Sequence, residues 1–213
     1  VLRLDIYSDP ICPWCYICKT HLDRALEAIT ENPFEINWHP YQLNPEMPQI
    51  GMDRKEYLEK KFGGSKGIIA AYGTIFEHTK KFNIDSNFDK IKVTPNTMHA
   101  HRIIHWSALE NCQNQIVSEL FKAYFVNGLD IGDKEILAKL ASKYFMDEKS
   151  ILRLLDSDND HNKVSKKDQA ARQMGISAVP MFIVAEHYAV SGAQTSDLWK
   201  RVIKEIQTKM TIS

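Results

Sequence analysis

The sequence predicts an α/β protein with helices on both faces of one sheet, and three observations support this prediction. Two short segments near the amino terminus alternate apolar and polar residues, as half-buried strands do, and a helical pattern separates them. A long middle stretch has helical periodicity almost throughout. β-rich segments return only after Gly175. The predicted order of elements is therefore βαβ, a helical insertion and ββα.

The first predicted unit occupies residues 1–50. Leu2–Tyr7 alternates apolar and polar side chains and is the first predicted strand. A helical pattern runs from Pro13 to about Glu31, and Glu35–Tyr41 alternates again as the second strand. This order places a group of cysteines where the first strand leads into the first helix.

The insertion is predicted to occupy residues 51–174. Its helices are expected to begin at residues that accept hydrogen bonds from free helix amides, and the first is expected to end at a glycine pair. Two predicted helices span residues 53–62 and 65–82. Four more are predicted to begin after residues 94–97, at Asp133, at Asp147 and at Asp158.

The last unit, residues 175–213, is predicted to be a hairpin followed by a helix. Met181–Val184 is short, rich in β-forming residues and preceded by a proline. A turn at Glu186-His187 leads into the second hairpin strand, Tyr188–Val190. Thr195–Ile206 then has apolar residues on one helical face.

Composition and charge narrow the function classes. The chain has 213 residues and equal numbers of basic and acidic side chains, 27 each, so its net charge predicts neither a nucleic-acid partner nor an anionic membrane surface. No apolar run is long enough to span a membrane. Four cysteines are too few for a disulfide-stapled secreted scaffold. We therefore expect a cytoplasmic location. The chain begins at Val1 rather than Met, which is also compatible with the removal of a leader.

Three cysteines at equal spacing, Cys12, Cys15 and Cys18, are the main candidates for chemistry. A reactive thiolate needs stabilisation and access, and the free amides at a helix start stabilise an anion. Cys12 lies at that start, followed by Pro13, a residue suited to the first helical turn. Cys15 lies one turn further on. Cys12 is therefore the predicted attacking thiol and Cys15 the resolving thiol.

Two other interpretations of the cysteines are a metal site and buried, inert thiols. A zinc site commonly needs four ligands, and the next cysteine is the solitary Cys112; a ferredoxin-type run would need a fourth cysteine. We therefore predict no metal. Buried, inert cysteines are the third interpretation. Cys18 shares the apolar sector of the helix and is therefore predicted to be buried beneath the site.

A proline near the hairpin is a second candidate. Pro180 immediately precedes the predicted strand Met181–Val184. A cis bond would free the carbonyl and amide of Val179 to hold an extended substrate, but most X–Pro bonds are trans. From the residues alone, an ordinary trans proline is favoured.

Five segments, which together span nearly the whole chain, carry a resemblance to a known family: D-I-Y-S-D-P-I-C-P-W-C-Y-I, W-H-P-Y-Q-L-N-P, N-T-M-H-A-H-R, G-I-S-A-V-P-M-F-I-V and S-G-A-Q. They resemble the DsbA-type thioredoxin-fold oxidoreductases, in the FrnE-like branch. That branch neighbours the 2-hydroxychromene-2-carboxylate isomerases and the kappa-class glutathione transferases.

The resemblance implies a thioredoxin-like core, residues 1–50 plus 175–213, interrupted by an all-helical domain at residues 51–174. It also implies a cis Val179–Pro180 bond facing Cys12. The isomerase and transferase relatives use a serine or lack the second cysteine, so the pair found here favours dithiol chemistry.

Other residues were given less specific roles. Trp14, between Pro13 and Cys15, is predicted to be an exposed aromatic rim that contacts substrate together with Pro13, Val179 and Pro180. Asp9 is predicted to cap the first helix. Three histidines that cluster on one helix of the insertion are predicted to be surface or cleft-lining residues rather than metal ligands: His99, His101 and His105.

Three functions are compatible with these observations. The favoured one is a thiol–disulfide oxidoreductase acting on protein or small-molecule thiols and disulfides. It would have no bound cofactor beyond its own redox-active disulfide, with glutathione as a candidate exchange partner. The second is a glutathione-dependent isomerase or transferase, and the third is a peptide-binding chaperone module. A homodimer is left open.

Overall fold

The computed structural model describes residues 1–212. It begins with a βαβ unit formed by β1 (Leu2–Ser8), α1 (Pro13–Glu27) and β2 (Phe34–Pro40). It ends with β5 (Met181–Val184), β6 (Tyr188–Ser191) and α9 (Ser196–Ile212). The predicted α/β class and the order βαβ, insertion, ββα are confirmed.

The main sheet has four strands in the order β2-β1-β5-β6. β1 pairs in parallel with β2, Leu2 opposite Phe34, and antiparallel with β5, Leu4 opposite Val184. β6 then pairs antiparallel with β5. Because β1 is central, its carboxyl end lies beside both neighbours, and α1 starts there.

The intervening part of the chain is mainly helical, and its elements include a short two-stranded ladder, β3–β4, that was not predicted. Each of these strands has only two residues, too few to produce a visible alternation. The elements are β3 (Met52–Asp53), α2 (Arg54–Phe62), α3 (Ser65–Lys81), β4 (Val93–Thr94), α4 (Met98–Leu109), α5 (Gln113–Phe121), α6 (Lys134–Ala141), α7 (Glu148–Asp156) and α8 (His161–Gln173). A π-helical turn, Lys122–Val126, continues α5.

Local capping explains most of the helix boundaries. The carboxylates of Asp53, Asp133 and Asp147 accept hydrogen bonds from the first free amides of α2, α6 and α7, as predicted. α2 ends at Gly63, whose φ of 70° lies in the left-handed region that glycine adopts without strain.

Three predicted boundaries are wrong, one of them the end of α9, which lies at Ile212 rather than Ile206. α1 ends at Glu27 rather than near Glu31, because the chain turns there and the Asn32 side chain accepts the amide of Phe34 to begin β2. α8 begins at His161 rather than near Asp158, because the Asp158 carbonyl accepts the His161 amide in a turn before the helix.

The alternation of β1 separates two packed faces. Leu4 and Ile6 face a large core that includes Leu22 of α1 and Trp199 of α9. Tyr7 faces the other way, into a smaller cluster with Ala171 of α8. Helices therefore cover both faces of the sheet, as the sequence predicted.

A side chain covers the outer edge of β2. The Trp38 amide donates to Gln113 Oε1 at 2.8 Å, and Gln113 Nε2 donates to the Trp38 carbonyl at 3.1 Å. A primary amide thus makes the pair of bonds that a neighbouring strand would make. This contact joins α5 to the edge of the main sheet.

No helix among residues 1–212 is long and apolar enough to cross a bilayer.

Candidate active site

Cys12 is the residue that caps α1. Its backbone is extended, with φ −84° and ψ 114°, and its Sγ accepts the Cys15 amide at 3.4 Å. Pro13 takes the first helical position, where a missing amide proton is no loss. The Cys12 sulfur therefore lies where free amides and the helix dipole stabilise negative charge.

Cys15 lies beneath Cys12 and is almost wholly buried, with 1% of its surface exposed. Burial raises the pKa of the Cys15 thiol, and its hydrogen bond to the Cys12 sulfur raises that pKa further. Cys15 therefore holds its proton, whereas the Cys12 sulfur lies at the helix start. This is the difference that an attacking and a resolving thiol require.

The loop before β5 lies against Cys12. The Val179–Pro180 peptide bond is cis. The Val179 carbonyl oxygen is 3.8 Å from Cys12 Sγ. Pro180 itself is buried, and its carbonyl accepts the Gly192 amide at 3.1 Å.

One cavity, of about 380 Å³, brings together most of the predicted site residues. Cys12, Pro13, Trp14 and Val179 line it, whereas the buried Cys15 and Pro180 lie outside its lining. Most of the remaining wall comes from α2 and α3. Cys12 therefore faces a cleft between the start of α1 and these two helices.

Sequence reasoning missed the charged part of this cleft. Arg54 is buried, and its guanidinium donates to the hydroxyls of Tyr72 and Tyr124. Lys61 lines the same cavity, and its Nζ donates to the Tyr57 hydroxyl at 2.7 Å. No local pattern distinguishes Arg54 from the exposed lysines of α2, so the sequence holds no signal for it.

Cys18 is buried, as predicted. Its Sγ donates to the Gly192 carbonyl at 3.2 Å, and burial raises the pKa of its thiol. It therefore remains a thiol and takes no place in the cavity lining. The fourth cysteine, Cys112, is also buried and donates to the Ser107 carbonyl at 3.6 Å.

The prediction that Asp9 caps α1 is wrong. Asp9 precedes the capping residue by three positions, and its wholly buried carboxylate turns instead toward the loop after β2. There it accepts the Leu43 amide at 2.6 Å and the Ile11 amide at 3.4 Å. Asp9 thus anchors the β1–α1 junction to that loop.

Of the three histidines of α4, His105 is half-buried, and none lines the cavity that contains Cys12, so the expected surface position is wrong for His99 and His101. His99 and His101 are buried, because α4 is packed on several sides. His101 Nε2 lies 3.6 Å from the Asp9 carboxylate, and His99 contacts Gln49 and Arg102. Among the residues that the structure describes, no group of three or more His, Cys, Asp or Glu could hold a metal ion.

The sheet order and the dithiol at the β1–α1 junction define a protein of the thioredoxin-fold class. The chain belongs to the DSBA-like thioredoxin domain family, whose model matches residues 3–204. It is also 25% identical over 214 residues to an uncharacterized protein, YwbO, from Bacillus subtilis (strain 168), with 98% of each chain covered. The predicted family is confirmed.

Solved structures share this fold. A probable DsbA oxidoreductase from Streptomyces coelicolor is 22% identical with a TM-score of 0.83, covering 96% of this chain and 89% of that one. A 2-hydroxychromene-2-carboxylate isomerase is 14% identical with a TM-score of 0.72 and 99% of both chains covered. The cytosolic disulfide reductase DsbM from Pseudomonas aeruginosa, solved with GSH, is 14% identical with a TM-score of 0.68, covering 97% and 100%.

Proposed function

We propose that this protein is a thiol–disulfide oxidoreductase in which Cys12 attacks and Cys15 resolves. The observation that carries the proposal is the difference between the two thiols. Cys12 caps α1 and lines a cavity, whereas Cys15 is buried beneath it and burial raises the pKa of its thiol. Both thiols are largely buried, with 4% of Cys12 and 1% of Cys15 exposed, but only Cys12 lines the cavity and lies at the helix start, where an anion is stabilised.

The reaction is a pair of exchanges. The Cys12 thiolate attacks one sulfur of a disulfide, the S–S bond breaks, and one substrate sulfur leaves as a thiolate. Cys15 loses its proton and attacks Cys12, which releases the second substrate thiol. The protein is oxidised to a Cys12–Cys15 disulfide while the substrate is reduced by two electrons, and the reverse sequence oxidises a dithiol.

Substrate contacts are assigned to the residues around Cys12. Pro13, Trp14 and Val179 line the cavity, and Pro180 holds Val179 beside the sulfur. Protein or small-molecule disulfides fit this role, with glutathione as an exchange partner and no further cofactor. We extend the proposal to a cytoplasmic location, supported by the small number of cysteines. We also propose that the chain forms two domains, a thioredoxin-like domain of residues 1–50 plus 175–213 and a helical domain of residues 51–174.

Cysteine variants test the proposal. Insulin reduction with dithiothreitol as electron donor should be accelerated by the wild-type protein and should fall to the background rate in Cys12→Ser. In the absence of dithiothreitol, reduced Cys15→Ser mixed with a substrate disulfide should accumulate a mixed disulfide on Cys12, detectable by mass spectrometry, because no second thiol resolves it. Cys112→Ser is the matched control, since that cysteine is buried away from the cavity. Acceleration that survives in Cys12→Ser would refute the proposal.

The size of the cavity favours one alternative. A volume of about 380 Å³ suits a small molecule, as a glutathione-dependent isomerase or transferase would require. Such an enzyme would bind glutathione tightly and would lose no activity in Cys15→Ser. A peptide-binding chaperone, by contrast, would protect an unfolding client equally well with or without Cys12.

A further inference from the structure

Arg54 is a buried cation that lacks an acidic partner. It is the first residue of α2 and is 7% exposed. No ion pair in the described part of the chain includes it. Buried arginines are normally paired with carboxylates, because removing a guanidinium from water is costly. The fold therefore holds a positive charge that the chain itself does not neutralise.

The cavity around this charge is cationic. Arg54 and Lys61 both line it, together with Cys12, and no aspartate or glutamate does. The acidic residues nearest to Arg54 in the sequence are Asp53, which is exposed and caps α2, and Glu56, which is exposed and paired with Lys60; neither lines the cavity. A cleft lined by one sign of charge attracts ligands of the opposite sign. An anion entering this cavity would meet two cations and no repelling group.

Tyr72 has a hydrogen-bond donor to spare. The Tyr124 hydroxyl accepts from Arg54 and donates to the Val93 carbonyl, so both of its functions are used. The Tyr72 hydroxyl also accepts from Arg54, but its own proton has no acceptor in the part of the chain that the structure describes. Burial raises the pKa of Tyr72, so this hydroxyl keeps its proton, and Tyr72 lines the same cavity as Cys12.

We propose that Arg54 and Tyr72 bind a carboxylate of a small thiol or disulfide whose sulfur reacts with Cys12. The planar guanidinium and the adjacent hydroxyl match the two oxygens of a carboxylate. The cavity volume lies within the usual range for small ligands, roughly 300–1,000 Å³. A buried Arg54 is out of reach for a folded protein substrate. This inference rests on the proposed function and specifies its substrate class as acidic low-molecular-weight thiols.

The test compares two disulfides of equal length that differ only in charge, 3,3′-dithiodipropionate and its diamide. Each is mixed with the reduced wild-type protein, and the rate of Cys12–Cys15 oxidation is followed in a single turnover. Dividing each rate by that of dithiothreitol with the same disulfide removes differences in intrinsic reactivity. We expect the acid to react about tenfold faster than the amide, the size of a charged hydrogen-bond contribution.

Variants locate the effect. In Arg54→Gln the ratio of the corrected rates, acid over amide, should fall close to one. In Tyr72→Phe, which keeps the ring, the same ratio should fall about threefold. Lys55→Gln is the matched control, because Lys55 is the next residue along α2 but is exposed and does not line the cavity. It should keep the full preference.

The outcomes separate the two proposals. Equal corrected rates for acid and amide in the wild type, or a preference retained in Arg54→Gln, would overturn the carboxylate site while leaving the oxidoreductase proposal intact. Failure of both disulfides to oxidise the wild-type protein would overturn the carboxylate site, and if insulin reduction were also absent the oxidoreductase proposal would be overturned with it. The wild-type comparison decides the question even if Arg54→Gln does not fold.

Discussion

At the scale of single residues, three cysteines that are equally spaced in the sequence have three different environments. Cys12 caps α1 and lines the cavity, Cys15 contacts its sulfur from below, and Cys18 points to the Gly192 carbonyl. Helical geometry produces the difference, since only Cys12 lies outside the regular helix. Spacing alone therefore does not indicate equivalent roles.

Replacement of Cys18 should leave the exchange reaction almost unchanged. Cys18→Ala removes one buried hydrogen bond to the Gly192 carbonyl and should lower the free energy of unfolding by about 1 kcal/mol. Insulin reduction and urea unfolding measure the two effects. A loss of activity as complete as that of Cys12→Ser would contradict the assignment.

Single residues also show where sequence reasoning stops. The capping position of Cys12 and the burial of Cys18 follow from local periodicity, and both were predicted. The hydrogen bonds of Asp9 and the burial of His101 depend on how α4 packs near the β1–α1 junction. Contacts between distant segments leave no local pattern, so these two residues were misplaced.

At the scale of elements, His21 joins three helices. Its Nδ1 accepts the Ser196 amide at the start of α9, and its Nε2 lies 2.9 Å from His78 Nε2 on α3. Because Nδ1 is an acceptor, the neutral ring carries its proton on Nε2 and donates it to His78. Adding a second proton would break the bond to α9.

This arrangement predicts a loss of stability in acid. Burial, then the neighbouring charges of His78 and Arg24, lower the pKa of His21 from 6.5 to about 4. Between these pH values the unfolded chain binds more protons than the folded protein, so stability falls as pH falls. The contribution is at most about 3 kcal/mol. Urea unfolding at a series of pH values should show a shallower decline in His21→Gln.

The exposed His187 provides the control for this experiment. His187→Gln should keep the wild-type dependence on pH, because that side chain is open to solvent. An unchanged slope in His21→Gln would show that other groups cause the acid sensitivity.

At the scale of the whole molecule, the insertion and the sheet are joined through the edge of β2. Gln113 pairs with both backbone groups of Trp38, and Asn114 accepts the Trp38 indole proton at 3.1 Å. An unpaired edge strand exposes donors and acceptors that invite pairing with other chains. In this protein two side chains of α5 occupy that edge.

Loss of the Gln113 amide should weaken this junction. Gln113→Met keeps the length of the side chain but leaves the Trp38 amide and carbonyl unpaired, and should cost about 2 kcal/mol in the free energy of unfolding. Hydrogen exchange should show reduced protection of the Trp38 amide. Gln115→Met, on the exposed face of the same helix, should change neither quantity.

The overall architecture was predictable, and the charged cleft was not. Period-two and helical patterns located β1, β2, β5 and most of the helices, and family resemblance supplied the core. Arg54, Tyr72 and Tyr124 meet only because the β3–β4 ladder and the π-helical turn bring three separate segments together. A two-residue strand and a single widened turn are below what periodicity can detect.

The divided wall of the cavity has a consequence for how this protein can evolve. The reacting sulfur and Val179 belong to the sheet unit, whereas Arg54 and Lys61 belong to the insertion. If the proposed exchange reaction is correct, mutations in α2 or α3 would change which molecules enter the cavity without altering the two cysteines that exchange electrons. Natural variation can therefore retune substrate choice and preserve reactivity, because the two traits are encoded in separate stretches of one gene.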